Sequence, residues 1–211
     1  MKIVCIVGKM GAGKTQLGKF LSKRGEVVIN FDKISRRVLQ EKKNDVIKIL
    51  GNEILDNDNN INFMKVKELA FADKNVLQNI SNLSIYKIIF YGIKEIIMKI
   101  LQGNRVIYIE TPLFYKYKLY KYFYYILVVS EYETRRARLL ERYSGKLLDD
   151  AMNLGDNYIT HHIRPDFIVY NKGNLENLEA QANSIRIKGN SLYHYLIVFI
   201  LFGSIAIKFL R

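Results

Sequence analysis

Ile3–Val7 is an unbroken apolar run rich in β-branched residues and stopped by Gly8, the pattern of a strand buried on both faces. Beyond the next glycines, Leu17, Phe20 and Leu21 recur at i, i+3 and i+4, which predicts a helix packed on a sheet, and Gly25 supplies its stop. Val27–Phe31 is a second apolar run. The chain thus opens as a βαβ unit with a right-handed crossover, and the second strand delivers Asp32 at its carboxyl end. From Lys33 to Lys99 the apolar spacing is mostly helical, interrupted at Gly51 and by the polar turn Asp56–Asn60. Arg105–Ile109, Tyr125–Val129 and Asp166–Tyr170 predict three more strands, ending at Glu110, at Ser130 and at Asn171 with Gly173. Five short runs separated by helical spans predict an α/β fold: a parallel sheet with helices on both faces, in three layers.

Composition narrows this picture. The 211 residues make one domain with room for an appendage. An apolar share of 49% beside 25% charged residues excludes a disordered chain. Lys and Arg number 33 against 20 Asp and Glu, a net +13, so the surface should attract an anion: nucleotide, polyphosphate, nucleic acid or a membrane face. Cys5 is the lone cysteine, which excludes an intramolecular disulfide. With no cysteine partners and with His161 adjacent to His162, no structural zinc is expected. Met1–Val7 is too short for a secretion signal and runs straight into the glycines.

Chemistry enters at Gly8, Lys9, Met10, Gly11, Ala12, Gly13, Lys14 and Thr15, which match G-x-x-x-x-G-K-[ST] between a predicted strand and a predicted helix. Such a loop wraps phosphate in backbone N–H groups, Lys14 reaches the outer phosphates, and the Thr15 hydroxyl can hold Mg²⁺, so ATP or GTP is the expected ligand. Asp32, at a strand's carboxyl end, can accept a proton from an attacking hydroxyl; alternatively it only caps the helix starting at Lys33. Glu110 ends a buried strand where a carboxylate can face the metal, or else caps a helix or pairs with a lysine. Arg135, Arg138 and Arg142 at i, i+3 and i+7 share a helix face and, with Arg136, form a phosphate clamp or a solvated basic helix.

These residues resemble the dephospho-coenzyme A kinase family, whose members use ATP to phosphorylate the ribose 3′-hydroxyl of dephospho-CoA. The resemblance runs from Met1 to about Ile185. It rests on the Gly8–Thr15 loop, and on Val28, Ile29, Asn30, Phe31 and Asp32 with Ser35, Arg36 and Val38, against the family's V-I-D-A-D-x-I-A-R-x-V. Leu50, Gly51, Ile54 and Leu55 resemble F-G-x-x-I-L, and Pro112 with Leu113 resembles P-L-L. Arg138 and Arg142 resemble the lid R-L-x-x-R, and Asp166, Phe167, Ile168, Asn171 and Gly173 resemble A-D-F-V-I-x-N-x-G. The resemblance implies a nucleoside-kinase-like P-loop fold with a helical substrate-side insertion and a lid, spanning residues 1–188. It implies Asp32 as base, Arg138 and Arg142 as lid contacts to ATP, and Asn171 to Gly173 beside the adenine. Arg36, Pro112 and Leu113 fall to the acceptor, and Thr15 and Glu110 to Mg²⁺. The chain departs from the family at Asn30 (an acidic residue), Lys116 (Glu), Asn82–Leu83 (His-Pro) and Asn157 (Gln).

Two other readings belong to different classes: another small-molecule or nucleotide kinase, and a nucleotide-binding regulatory protein without transfer. Tyr115–Tyr125 interleaves Lys116, Lys118 and Lys121 with seven aromatic residues, which suits base stacking, but no nucleic-acid motif accompanies it and no nucleic-acid partner is expected. Residues 189–211 form a candidate membrane anchor: Leu192–Leu210 is almost wholly apolar and at ~1.5 Å per residue reaches roughly 28 Å, near a bilayer's hydrocarbon thickness. Tyr193, His194 and Tyr195 would lie at one interface and Lys208 and Arg211 at the other, leaving a cytoplasmic kinase domain tethered by its tail. The alternative is a terminal helix docked on the protein.

Overall fold

The computed structural model describes residues 1–111, 114, 118–143, 145–156, 164–187 and 192–209, with 154–156 and 201–209 described by backbone alone. Pro112, Leu113, Lys116, Asn157, His161 and His162 lie outside the described residues.

The chain runs β1 (Lys2–Gly8), α1 (Lys14–Lys23), β2 (Val27–Asn30), α2 (Phe31–Glu41), α3 (Lys43–Leu50), α4 (Phe63–Ala72) and α5 (Lys74–Leu101). It continues through β3 (Val106–Glu110), β4 (Tyr124–Val129), α6 (Tyr132–Leu140), α7 (Gly145–Asp156), β5 (Phe167–Tyr170), α8 (Leu175–Ser184) and α9 (Leu192–Phe209). The strands form one sheet in the order β2-β3-β1-β4-β5, every neighbouring pair parallel. Because β1 lies centrally, its side chains alternate between two buried faces. Ile3, Cys5 and Val7 join Ile34, Val38, Ile88, Ile93 and Ile96 of α2 and α5 on one side. Val4 and Ile6 join Leu17, Phe20, Leu21, Leu178 and Ala182 of α1 and α8 on the other. The expected three layers are therefore present. Burial on both faces is why β1 reads as a continuous apolar run, and it pushes the Cys5 thiol above its ordinary pKa, leaving it inert.

The helical excursion between β2 and β3 has a core of its own, built from Leu39, Val46, Leu50, Ile54, Ile61, Val66 and Ile80. Its Asp56–Asn60 turn is held by Asp56 Oδ1, which accepts from the N–H groups of Asp58 and Asn60. The stretch containing Asn82 and Leu83 has no proline to break it, so α5 runs for 28 residues, about 42 Å. After β4, α6 and α7 enclose Leu139, Tyr143, Leu148, Ala151 and Met152, and Met10 of the loop and Phe71 of α4 pack against this group.

The membrane anchor expected over 189–211 is not supported. Among the described residues no helix is long and apolar enough to cross a membrane. The first turns of α9 instead dock on the domain, as in the alternative reading. Val198 enters the core beside α5, and His194, expected at a lipid interface, is buried with Nδ1 accepting the Ile3 N–H at 2.9 Å. Its ring meets Phe123 and Tyr124 edge-on, with centroids 5.3 and 5.7 Å away. The imidazole thus satisfies a backbone donor at the amino end of β1, a role that apolar composition does not reveal. Phe123 and Tyr125 of the aromatic stretch are core residues, and the Tyr125 ring packs on buried Phe114 just before the stretch, with centroids 4.9 Å apart.

Candidate active site

Gly8–Thr15 leaves the carboxyl end of β1 and turns into α1, whose N-cap Gly13 gives no side-chain cap and whose first turn carries no acidic residue. The first N–H groups of α1 are thus left to an incoming anion. Two glycines are required by close approach. A Cβ at Gly8 would lie 2.5 Å from the Val128 carbonyl oxygen of β4. One at Gly13, where φ is 101°, would collide with the Asn171 amide nitrogen. Lys14 Nζ folds back on its own loop, donating to the carbonyls of Gly8 at 2.9 Å and Lys9 at 3.1 Å. Burial lowers its pKa, opposed by the negative charges of Glu110 and Asp32 and reinforced by Arg135.

Across from the lysine, β2 and β3 place Asn30 and Glu110 side by side in register. Glu110 is buried and both its oxygens are engaged: Oε1 accepts from Thr15 Oγ1 at 2.5 Å and Oε2 from Asn30 Nδ2 at 2.6 Å. Burial raises its pKa most; the Thr15 bond works against this, the Asp32 charge adds to it, and Lys14 and Asn30 lower it. Of the alternative readings of Glu110, the helix cap finds no counterpart in these contacts, and the lysine pair is present only as a charge interaction with Lys14. Asn30 Oδ1 meanwhile accepts the Lys33 N–H at 3.0 Å and caps α2. The cap is therefore Asn30 and not Asp32, and α2 begins at Phe31 instead of Lys33. Asp32 stands exposed in the first turn of α2, free of capping duty and within electrostatic reach of Lys14 and Glu110.

The arginines do not share one face. Arg135 is buried, with Nη2 3.7 Å from Met152 Sδ of α7. Helix α6 ends at Leu140, which puts exposed Arg142 beyond it, and Arg136 is half-buried. Arg138 reaches the loop with its side chain, donating from Nη1 to the Gly11 carbonyl at 3.0 Å and from Nη2 to Asn171 Oδ1 at 2.9 Å. Asn171 is 3% exposed and donates from Nδ2 to the Ala12 carbonyl at 2.8 Å, while its Oδ1 also takes the Gly173 N–H at 3.2 Å. Ser130 Oγ, at the end of β4, donates to the Asn171 carbonyl at 2.8 Å. Arg36 is exposed and lies over the Phe63 ring of α4, 5.6 Å from its centroid, away from this cluster's contacts.

Sequence reasoning gave no role to Asn30 or Ser130. Asn30 was visible only as a polar residue where an acidic one was expected, and its contact with Glu110 spans 80 positions. Thr15 and Glu110 present an oxygen-only donor set beside the phosphate loop, which fits a hard divalent cation shared with a nucleotide. Among the described residues no cluster of three or more His, Cys, Asp or Glu side chains could hold a metal by itself.

The family model described as dephospho-CoA kinase matches residues 2–175. The chain is 31% identical over 189 residues to a dephospho-CoA kinase of Fusobacterium nucleatum, covering 83% of this chain and 92% of the relative. It is 31% identical over 195 residues to one of Borrelia garinii, covering 92% and 88%. In fold it is similar to a Thermus thermophilus structure, with a TM-score of 0.62 at 18% identity over 88% of this chain and 98% of that one. The dephospho-CoA kinase of Campylobacter jejuni gives a TM-score of 0.58 at 17% identity over 86% and 94%.

Proposed function

The chain belongs to the dephospho-CoA kinase family, and on that premise we propose how its own residues divide the work of phosphorylating the ribose 3′-hydroxyl of dephospho-CoA with ATP. It is a phosphotransferase of CoA biosynthesis. The observation that carries the reading is the Thr15–Glu110 hydrogen bond beside the phosphate loop, with Lys14 and exposed Asp32 near enough for their charges to act on Glu110.

Asp32 takes the proton of the acceptor hydroxyl as that oxygen closes on the γ-phosphorus. The bond from the γ-phosphorus to the β,γ-bridging oxygen breaks, and its electron pair leaves with ADP. Loop N–H groups and the start of α1 hold the phosphates. Lys14 exchanges the carbonyls of Gly8 and Lys9 for outer phosphate oxygens, and the charges of Glu110 and Asp32 help to keep its ammonium protonated against burial. Thr15 and Glu110 would hold Mg²⁺, which when bound neutralises charge on the transferring phosphoryl. Arg138 serves ATP from the lid side while fixing the loop through Gly11, and Arg142 approaches only from beyond α6. Asn171 and Gly173 border the adenine, and Arg36, Pro112 and Leu113 serve the acceptor.

ADP release measured with dephospho-CoA, AMP, UMP and nucleosides tests the reading. Preferred turnover of dephospho-CoA supports it. Preference for AMP or UMP makes the chain a nucleotide kinase, and ATP binding with no turnover at millimolar acceptor makes it a regulatory nucleotide binder.

A further inference from the structure

Gly92 sits buried in the middle of α5, where glycine costs about 1 kcal/mol relative to alanine and no turn calls for it. Its reason is a neighbour. A Cβ at Gly92 would lie 2.5 Å from Phe31 Cε1, 3.1 Å from Cε2 and closer still to Cζ. The Phe31 ring is 8% exposed and belongs to the core cluster of Ile29, Ile34, Val38 and Ile88, so it cannot simply swing into solvent. Gly92 is thus a notch in α5 that receives the ring. Phe31 is also the first residue of α2, between the cap Asn30, which ties β2 to Glu110, and Asp32. The far end of α2 is bound to the same helix by Glu41, which accepts from Lys87 Nζ at 2.7 Å and from the Tyr91 hydroxyl at 3.0 Å. Helix α2 is therefore pinned to α5 at both ends, and the pin beside Asp32 is a ring seated in a glycine notch.

We propose that Gly92 is a positioning residue for the transfer: by seating Phe31 it fixes where Asp32 stands relative to Lys14 and Glu110. The proposal rests on the reading of Asp32 as base. Displacement of about 1 Å in a reacting group costs up to about a hundredfold in rate, whereas nucleotide binding depends on the loop and α1, on other elements.

The test is steady-state kinetics and thermal unfolding of Gly92→Ala, Phe31→Leu and the double variant, each also built on Asp32→Asn. Gly92→Ala should lower kcat at least tenfold with KM for ATP within about twofold. The shorter leucine gives the new methyl room, so the double variant should recover most of kcat. On the Asp32→Asn background Gly92→Ala should lower kcat no further, because the group it displaces has gone. Folded Gly92→Ala with wild-type kcat overturns the proposal, and so does an equal further loss on the Asp32→Asn background. If Gly92→Ala does not fold, Phe31→Leu alone decides, by the same presence or absence of a kcat loss that vanishes with Asp32→Asn. An unchanged kcat in Asp32→Asn itself removes the base assignment and this inference with it, an outcome distinct from additivity with a base that matters.

Discussion

Replacing Asn171 with alanine should loosen the phosphate loop from the far half of the sheet. The side chain makes three hydrogen bonds at a site where it is 3% exposed. Truncation leaves the Ala12 carbonyl without its buried donor, a loss of about 1–3 kcal/mol. The Arg138 guanidinium is part-exposed and can turn to water, so its charge-assisted bond counts for only about 1 kcal/mol. The 3.2 Å bond from Gly173 adds roughly 0.5 kcal/mol. A loss near 3 kcal/mol corresponds to a Tm lower by roughly 6–12 °C for a chain of this size. Circular dichroism melting with and without ATP measures it, and ATP should raise the Tm of the variant less than that of the wild type, because a loosened loop binds phosphate more weakly. Asn171→Asp separates the contributions. It keeps the acceptor for Arg138 and Gly173 but turns an oxygen toward the Ala12 carbonyl, so it should lose the largest share alone. An Asn171→Ala variant melting within about 2 °C of wild type would refute the reasoning, since water would then be replacing every bond.

Asp32→Asn should lower kcat by about 10²- to 10⁴-fold with ATP affinity retained; a rate within twofold of wild type, read in the ADP-release assay, returns Asp32 to the solvated surface. Lys14→Ala should weaken ATP binding by calorimetry and lower kcat as well, because the cation that reaches the outer phosphates is gone; wild-type values of both would mean that the lysine never leaves the Gly8 and Lys9 carbonyls. The His194 pKa is lowered by burial, with the N-terminal amine and Lys2 adding to it and a hydrogen bond to the Tyr122 backbone opposing. Its neutral form is therefore the folded one, so its contribution to stability is complete above about pH 6.5 and is lost as pH falls from there toward the depressed folded value. Denaturant midpoints between pH 7.5 and 5 should fall in the wild type and be flatter in His194→Ala; identical slopes would exclude the imidazole as their source.

The strands were legible because each is buried on a face of a parallel sheet, and the observed ends lie within a residue of the apolar runs. Phe31 is the informative miss. Its hydrophobicity extends the second run, but the Asn30 side chain captures the Lys33 N–H and starts a helix, so Phe31 turns toward α5 instead of completing β2. In the resembling family stretch this position carries alanine, and the sequence offered no way to match a ring at 31 with a missing side chain at 92. The arginine face failed for a local reason, since spacing of i, i+3 and i+7 presumes a helix that continues, and α6 stops at Leu140. The tail failed for a different one. An apolar run satisfies a lipid interior and a protein surface equally, and what separates them here is Val198 in the core beside α5 together with His194 Nδ1 meeting the Ile3 N–H.

The two site carboxylates were both visible in sequence, each at the end of a predicted strand, Asp32 as a base or a helix cap and Glu110 as a metal-facing group, a cap or a lysine partner. The structure separates them by surroundings, as environment separates chemically identical groups elsewhere. Glu110 is buried with one oxygen on Thr15 and the other on Asn30, so its position is fixed and neither oxygen is free to follow a departing proton. Asp32 is exposed in the first turn of α2 and is relieved of capping by Asn30. Asn30 is common to both conditions, because one amide holds Glu110 with its nitrogen and frees Asp32 with its oxygen. An aspartate at 30 could still cap α2, but it would face Glu110 with a second carboxylate instead of a donor. The asparagine therefore lets this chain keep a locked carboxylate and a free one two residues from each other's anchor.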